Sequence, residues 1–215
     1  MSNSLRIFLL TLGFAALAPA AHAAGDAARG ESLVATCAAC HGADGNSPAP
    51  NFPKLAGLGE RYITKQLSDI KSGVRVVPEM TGLLNDFGAQ DFADMAAFYS
   101  AKPIQLAGAK ELKVRINSGV EVDALELGEK VYRAGNLASQ TPACTGCHSP
   151  RGQGNAPAAF PRLSGQHAQY IEKQLRDFRS GARVNDGEAQ IMRKAAEHLS
   201  DAEIVALANY IAGLN

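Results

Sequence analysis

The sequence predicts an all-α protein made of two tandem modules, and three observations carry that prediction. The stretch Cys37-Ala38-Ala39-Cys40-His41 returns as Cys144-Thr145-Gly146-Cys147-His148. The residues flanking one copy align with those flanking the other over most of the chain, which marks a duplicated unit. Within each copy apolar residues recur at helical spacing, and no alternating run is long enough for a sheet.

Each module opens with a helix that runs into the cysteine motif. Gly30-Glu31 followed by Leu33-Val34 matches Gly128-Glu129 followed by Val131-Tyr132. Nine extra residues in the second copy then bring the motifs into register. A loop rich in Gly and Pro follows, Gly42 to Gly57 and Ser149 to Gly165. In it Phe52-Pro53-x-Leu55 matches Phe160-Pro161-x-Leu163. The next helix is amphipathic, with Ile63, Leu67 and Ile70, or Ile171, Leu175 and Phe178, on one face. It begins in the matching runs Tyr62-Ile63-x-x-Gln66-Leu67 and Tyr170-Ile171-x-x-Gln174-Leu175, and Ser72-Gly73 and Ser180-Gly181 match at its end.

A loop then carries Met80 or, with four more residues inserted, Met192. A last helix closes each module on a stripe of Phe92, Met95, Ala96 and Tyr99, or of Ile204, Leu207, Ala208 and Ile211. Ser200 to Glu203 has the spacing of a capping box, whereas Gly88 to Asp91 keeps only the acid. The first module's last helix is therefore expected to fray more at its start. The modules are placed at 24–102 and 123–215, with a linker at 103–122. Pro103 breaks the preceding helix, and Leu106, Leu112, Val114 and Ile116 make the segment too apolar for a free tether.

Residues 1–23 read as a signal peptide. Arg6 supplies the positive start, Ile7 to Ala18 the apolar run, and Ala21-His22-Ala23 the cleavage site. The run is shorter than the ~20 apolar residues of a membrane helix. Export to the periplasm is expected, with membrane association at most peripheral. Basic and acidic side chains balance at 21 each. No basic field points to nucleic acid, and no Lys/Arg cluster to anionic lipid.

Two cysteines separated by two residues and followed at once by histidine form the attachment pattern of c-type haem. Cys37, Cys40, Cys144 and Cys147 are the candidate thioether residues and use all 4 cysteines of the chain. The adjacent His41 and His148 are candidate axial ligands to iron. A four-cysteine zinc site spaces its pairs by roughly 15 to 20 residues, but these lie 107 positions apart. A thioredoxin-like pair needs a strand, a turn and a helix around it. A disulfide explains an even cysteine count in an oxidising compartment but not the histidines.

A second axial ligand that belongs to the duplicated unit should occur in both copies. Met80 and Met192 do. His167 aligns with Gly59, His198 with Asp86, and Met95 aligns with Leu207 on an apolar helix face, where methionine is core filler. A thioether favours ferrous over ferric iron and raises the reduction potential relative to bis-histidine ligation. With both axial positions filled, the expected chemistry is movement of single electrons rather than activation of oxygen or peroxide.

The twin CxxCH, the FPxL after each, the Tyr-Ile-x-x-Gln-Leu helix, Asn185-Asp186 before the second methionine and the LSDAEI…YIAGL ending together resemble the dihaem cytochrome c4 family. The resemblance covers essentially the whole chain after residue 23. It implies two class I cytochrome c folds related by a pseudo-two-fold axis, two haem c groups and Met/His ligation of both irons. It also implies a carrier between a respiratory donor and acceptor, with a terminal haem-copper oxidase as the destination. By the same resemblance the carbonyls of Pro53 and Pro161 accept the second ring N–H of His41 and His148, and Gly30 and Gly128 mark where the first helix crosses the last. An aromatic residue commonly follows that glycine by four. Tyr132 does, but Val34 stands in the first copy and argues against an equally tight crossing there. The competing functions are the dihaem subunit of a flavin-containing sulfide dehydrogenase and a dihaem peroxidase-type enzyme, for which His167 or His198 would be switch ligands.

Overall fold

The computed structural model describes residues 24–215; the expected signal peptide at 1–23 lies outside the described residues. The first module comprises α1 (Ala27–Leu33), α2 (Ala38–His41), α3 (Glu60–Lys71), a 3-10 turn at Pro78–Met80 and α4 (Ala89–Ser100). After a short hairpin, β1 (Lys113–Arg115) and β2 (Glu121–Asp123), the second comprises α5 (Ala124–Ala134), α6 (Thr145–His148), α7 (Ala168–Ser180), α8 (Ile191–Ala196) and α9 (Asp201–Gly213).

Local chemistry sets the helix starts. Asp26 caps α1 by accepting from the amides of Ala28 and Arg29, and Asp123 caps α5 through those of Leu125 and Glu126, satisfying donors a helix start leaves free. Ser200 and Glu203 form the reciprocal box at α9, with Ser200 N donating to Glu203 Oε2 at 2.8 Å and Glu203 N to Ser200 Oγ at 3.3 Å. At α4 only half of that arrangement exists, Gly88 N donating to Asp91 Oδ2 at 2.7 Å.

In each module the first helix packs across the last. A Cβ added to Gly30 would sit 2.1 Å from the backbone oxygen of Asp94, and one added to Gly128 2.3 Å from that of Ala206. The two crossings are equally close. This corrects the expectation drawn from Val34: the first module reaches the same contact because Val34, 4% exposed, still fills the core beneath it. The core clusters match as well. Val34, Leu58, Ile63, Leu84, Phe92, Met95, Phe98 and Tyr99 form one, and Val131, Tyr132, Ile171, Phe178, Leu199, Ile204, Leu207 and Ile211 contribute to the other.

Two expectations need correcting. The linker region holds a two-stranded antiparallel sheet pairing Lys113 with Asp123, Val114 with Val122 and Arg115 with Glu121. Three-residue strands are too short to show alternation. They exist because Leu112, Val114, Ile116 and Val122 cover Ala202, Val205 and Ala206 of α9. The first module has no such cover: there Asp94, in the place of Ala206, accepts from Asp26 N at 2.8 Å and pairs with Arg29. Met192 is not in a loop but in the first turn of α8, whereas Met80 ends a 3-10 turn.

The linker also touches the first module. Asn46 Nδ2 donates to the Pro103 carbonyl at 2.9 Å, Gln105 N donates to Asn46 Oδ1 at 2.8 Å, and the Lys54 ammonium donates to the Gln105 carbonyl. On the other side Ala107 N donates to Gly165 O, and Gly108 N to Ala212 O. No helix among the described residues is long and apolar enough to cross a membrane.

Candidate metal centres

The cysteine motifs fold as single turns of helix. In α2 the N–H of His41 donates to Cys37 O at 2.9 Å, and in α6 that of His148 donates to Cys144 O at 3.0 Å. Such a turn brings both thiols and the imidazole to one side of the backbone. All four thiols are free and partly buried. Burial pushes the Cys144 thiol up to about 11 and raises that of Cys37. A thiol raised in this way, at Cys37 and Cys144, is not the low-pKa thiolate of a redox pair. No group of three or more His, Cys, Asp or Glu side chains closes on a metal ion among the described residues, so the two CxxC pairs do not converge as a zinc site requires.

Both histidines are buried, 8% exposed at His41 and 5% at His148. His41 Nδ1 lies 2.9 Å from the carbonyl oxygen of Pro53, and His148 Nδ1 2.9 Å from that of Pro161. Since a carbonyl only accepts, each Nδ1 carries the proton and each Nε2 lone pair is left over. Burial holds both rings below the usual imidazole value, outweighing the carbonyl that would raise it. A neutral ring with a fixed tautomer is what metal ligation by Nε2 requires.

The methionines occupy matching places. Met80 and Cys37 pack against the first core cluster, Met192 and Cys144 against the second. In the first module a cavity of about 490 Å³ is lined by Cys37, Cys40, His41, Leu67, Ile70 and Met80. It continues to Gln174 and Arg183 of the second module. His198 is exposed. His167 directly precedes α7 without capping it, and its Nε2 lies 2.8 Å from the Ser47 carbonyl across the module boundary.

The residues that sequence reasoning missed lie at that boundary. Arg75 donates to its own Gln66 at 2.7 Å and, across the boundary, to Tyr170 Oη at 3.0 Å and Gln174 Oε1 at 3.1 Å. Arg183 donates to its own Gln174 at 2.7 Å and across to Tyr62 Oη at 3.3 Å and Gln66 Oε1 at 2.9 Å. The contacts exchange when the modules are interchanged, the mark of an approximate two-fold axis. Asn185, where the first copy has Val77, breaks the symmetry with 2.9 and 2.6 Å bonds to Gln66 and Asp69. The signal was available, because both copies read Ser-Gly-x-Arg-Val.

This rim has more donors than acceptors. Gln66 Oε1 alone serves Arg75, Arg183 and Asn185. Tyr99 Oη and Arg162 Nε, both on the cavity wall, are buried without a partner. Burial raises the Tyr99 phenol, which therefore stays a donor. Burial also resists ionisation of Tyr62, but Arg183 and Arg75 outweigh it and draw the phenol below its usual value. Buried donors lacking acceptors are rare in folded proteins. These residues fit a flat apolar ring carrying carboxylates: Leu67 and Ile70 would meet the ring, and Arg75 and Arg183 would meet its acid groups.

A duplicated helical unit with such a motif in each copy defines the class as a dihaem c-type cytochrome. A family model described as Cytochrome c matches residues 27–105 and 125–215. The chain is similar to cytochrome c4 of Azotobacter vinelandii, at 54% identity over 225 residues and the full length of both. It superposes on the crystal structure of reduced recombinant cytochrome c4 from Pseudomonas stutzeri with a TM-score of 0.82 and 50% identity, over 89% of this chain and 100% of that one. A thiosulfate dehydrogenase electron acceptor of Stutzerimonas stutzeri (strain A1501) is 36% identical over 83% of this chain and 78% of its own length. The chain belongs to the cytochrome c4 family. It is a dihaem electron-transfer cytochrome that carries two covalent haem c groups.

Proposed function

We propose that Cys37 and Cys40 hold one haem by thioether bonds and Cys144 and Cys147 the other. In this reading His41 and Met80 would hold the first iron, and His148 and Met192 the second. The four thiols would be the residues that tether the two groups, one pair to each, as thioethers. When bound, haem c supplies a one-electron ferric/ferrous couple.

The chain's own part is to hold the ligands and exclude water. Pro53 and Pro161 keep the imidazole protons on Nδ1, and the core clusters seat the methionines. Arg75 and Arg183 would offset the carboxylate charge of the ring. The protein then acts as a periplasmic carrier of single electrons between respiratory partners, delivering to a terminal haem-copper oxidase. The carrying observation is the shared packing of each motif's first cysteine with that module's methionine, beside a neutral histidine whose Nε2 is unused.

Carbon monoxide tests this. The reduced holoprotein is expected to bind it slowly and in small yield, because no axial position is open. Rapid binding at one equivalent per haem would show an open iron and favour an enzyme instead. A second reading, in which a thiosulfate-oxidising enzyme is the electron donor, is favoured by the 36% identical thiosulfate dehydrogenase electron acceptor.

A further inference from the structure

The peptide group joining Pro53 to Lys54 is hydrogen-bonded at both ends. Its carbonyl faces His41 Nδ1 at 2.9 Å, and its N–H, on Lys54, donates to Gln166 Oε1 of the second module at 2.9 Å. Gln166 Nε2 in turn donates to the Lys54 carbonyl at 2.9 Å. This two-point pairing fixes which end of the amide is oxygen, since a flipped amide would set donor against donor. Both residues are buried, Gln166 at 3% exposure and Lys54 at 4%. The result is a chain of bonds from the second module, through one peptide plane, to the first module's imidazole.

The second histidine has no equivalent. The N–H of Arg162 shares a peptide group with the Pro161 carbonyl and has no backbone partner among the described residues. Leu58, which matches Gln166 in the repeat, has no amide to offer.

We propose that Gln166 is a positioning residue for the first iron centre, tuning His41 from the other module through the Pro53–Lys54 peptide. A peptide group whose N–H donates to an acceptor gains charge on its carbonyl oxygen, and chained hydrogen bonds strengthen one another by about 10–30% each. A stronger acceptor at Nδ1 gives the imidazole more anionic character and makes it a better donor to ferric iron. Gln166 thereby lowers the first centre's potential and leaves the second alone. The proposal rests on the reading of His41 as an axial ligand.

The test uses the holoprotein carrying Gln166→Met, Gln166→Glu or His167→Ala, with both potentials followed by spectroelectrochemical titration. Gln166→Met keeps the shape and removes the acceptor. It is expected to raise the first potential alone, changing the equilibrium constant for electron sharing between the haems by roughly twofold. Gln166→Glu keeps an oxygen facing the Lys54 N–H and should leave that potential at or below wild type. His167→Ala removes the neighbouring cross-module contact to Ser47 without touching the peptide, and should shift neither. Equal shifts in Gln166→Met and His167→Ala, movement of both potentials together, or no shift in Gln166→Met would overturn the relay. NMR of the oxidised protein separates the two readings. Hyperfine-shifted His41 ring resonances in the wild type establish ligation, and their movement in Gln166→Met reports the relay. Their absence in the wild type would instead sink the ligand assignment.

Discussion

At the level of single residues, the side chains that matter were legible wherever duplication made them visible twice. The cysteine motifs and both methionines stand out in the alignment of the copies, and the part of both prolines is implied by the family resemblance. The arginines Arg75 and Arg183 were equally repeated but passed unread, because a lone arginine after a Ser-Gly pair carries no chemistry until its partners are known. Those partners, Tyr170 and Gln174 for one and Tyr62 and Gln66 for the other, belong to the opposite module. No local pattern could supply that. The axial assignment makes a sharp prediction at this scale. Met80→His and Met192→His should each lower one reduction potential and leave the other largely in place, since exchanging a thioether for imidazole favours ferric iron. Redox titration of the two variants reads this directly, and a shift of the other module's haem would assign the methionines wrongly.

Helices were legible from periodicity and caps, and the hairpin was not. A strand of three residues presents one inward side chain, here Val114 at 9% exposure, which is no pattern at all. What creates it is the alanine face of α9, a tertiary cause. The tight crossings of α1 with α4 and of α5 with α9 belong to this level too. In Gly30→Ala the new methyl group would meet the Asp94 backbone at 2.1 Å. Overpacking of this kind costs about 1–3 kcal/mol, whereas helix propensity returns at most about 1 kcal/mol. The clash wins, because its neighbour is backbone and cannot rotate away. Gly30→Ala and Gly128→Ala should each lose roughly 1 kcal/mol in guanidinium unfolding followed by haem absorbance. Gly146→Ala is the control: a Cβ there meets nothing within 4 Å, and the first motif already has Ala39 in that place. It should be neutral or slightly stabilising.

For the whole molecule, the sequence shows two units but not the face by which they join. That face is polar, centred on two guanidinium groups, and so leaves no apolar stripe to be noticed. Hydrogen bonds to charged groups contribute about 1.5–3 kcal/mol each, enough for the few across this boundary to couple the modules. The wild-type holoprotein should therefore unfold in one calorimetric transition. Arg75→Met combined with Arg183→Met should split it into two, and a single unshifted transition in that variant would show that the two guanidinium groups are not what couples the modules.

The cavity beside the first cysteine motif is walled in part by Gln174 and Arg183, and the linker fastens to both halves. A fragment severed near residue 102 would be left with one side of its pigment chamber open to water. Doubling has thus ceased to be mere repetition: the first half no longer closes its own chamber without side chains lent by the second.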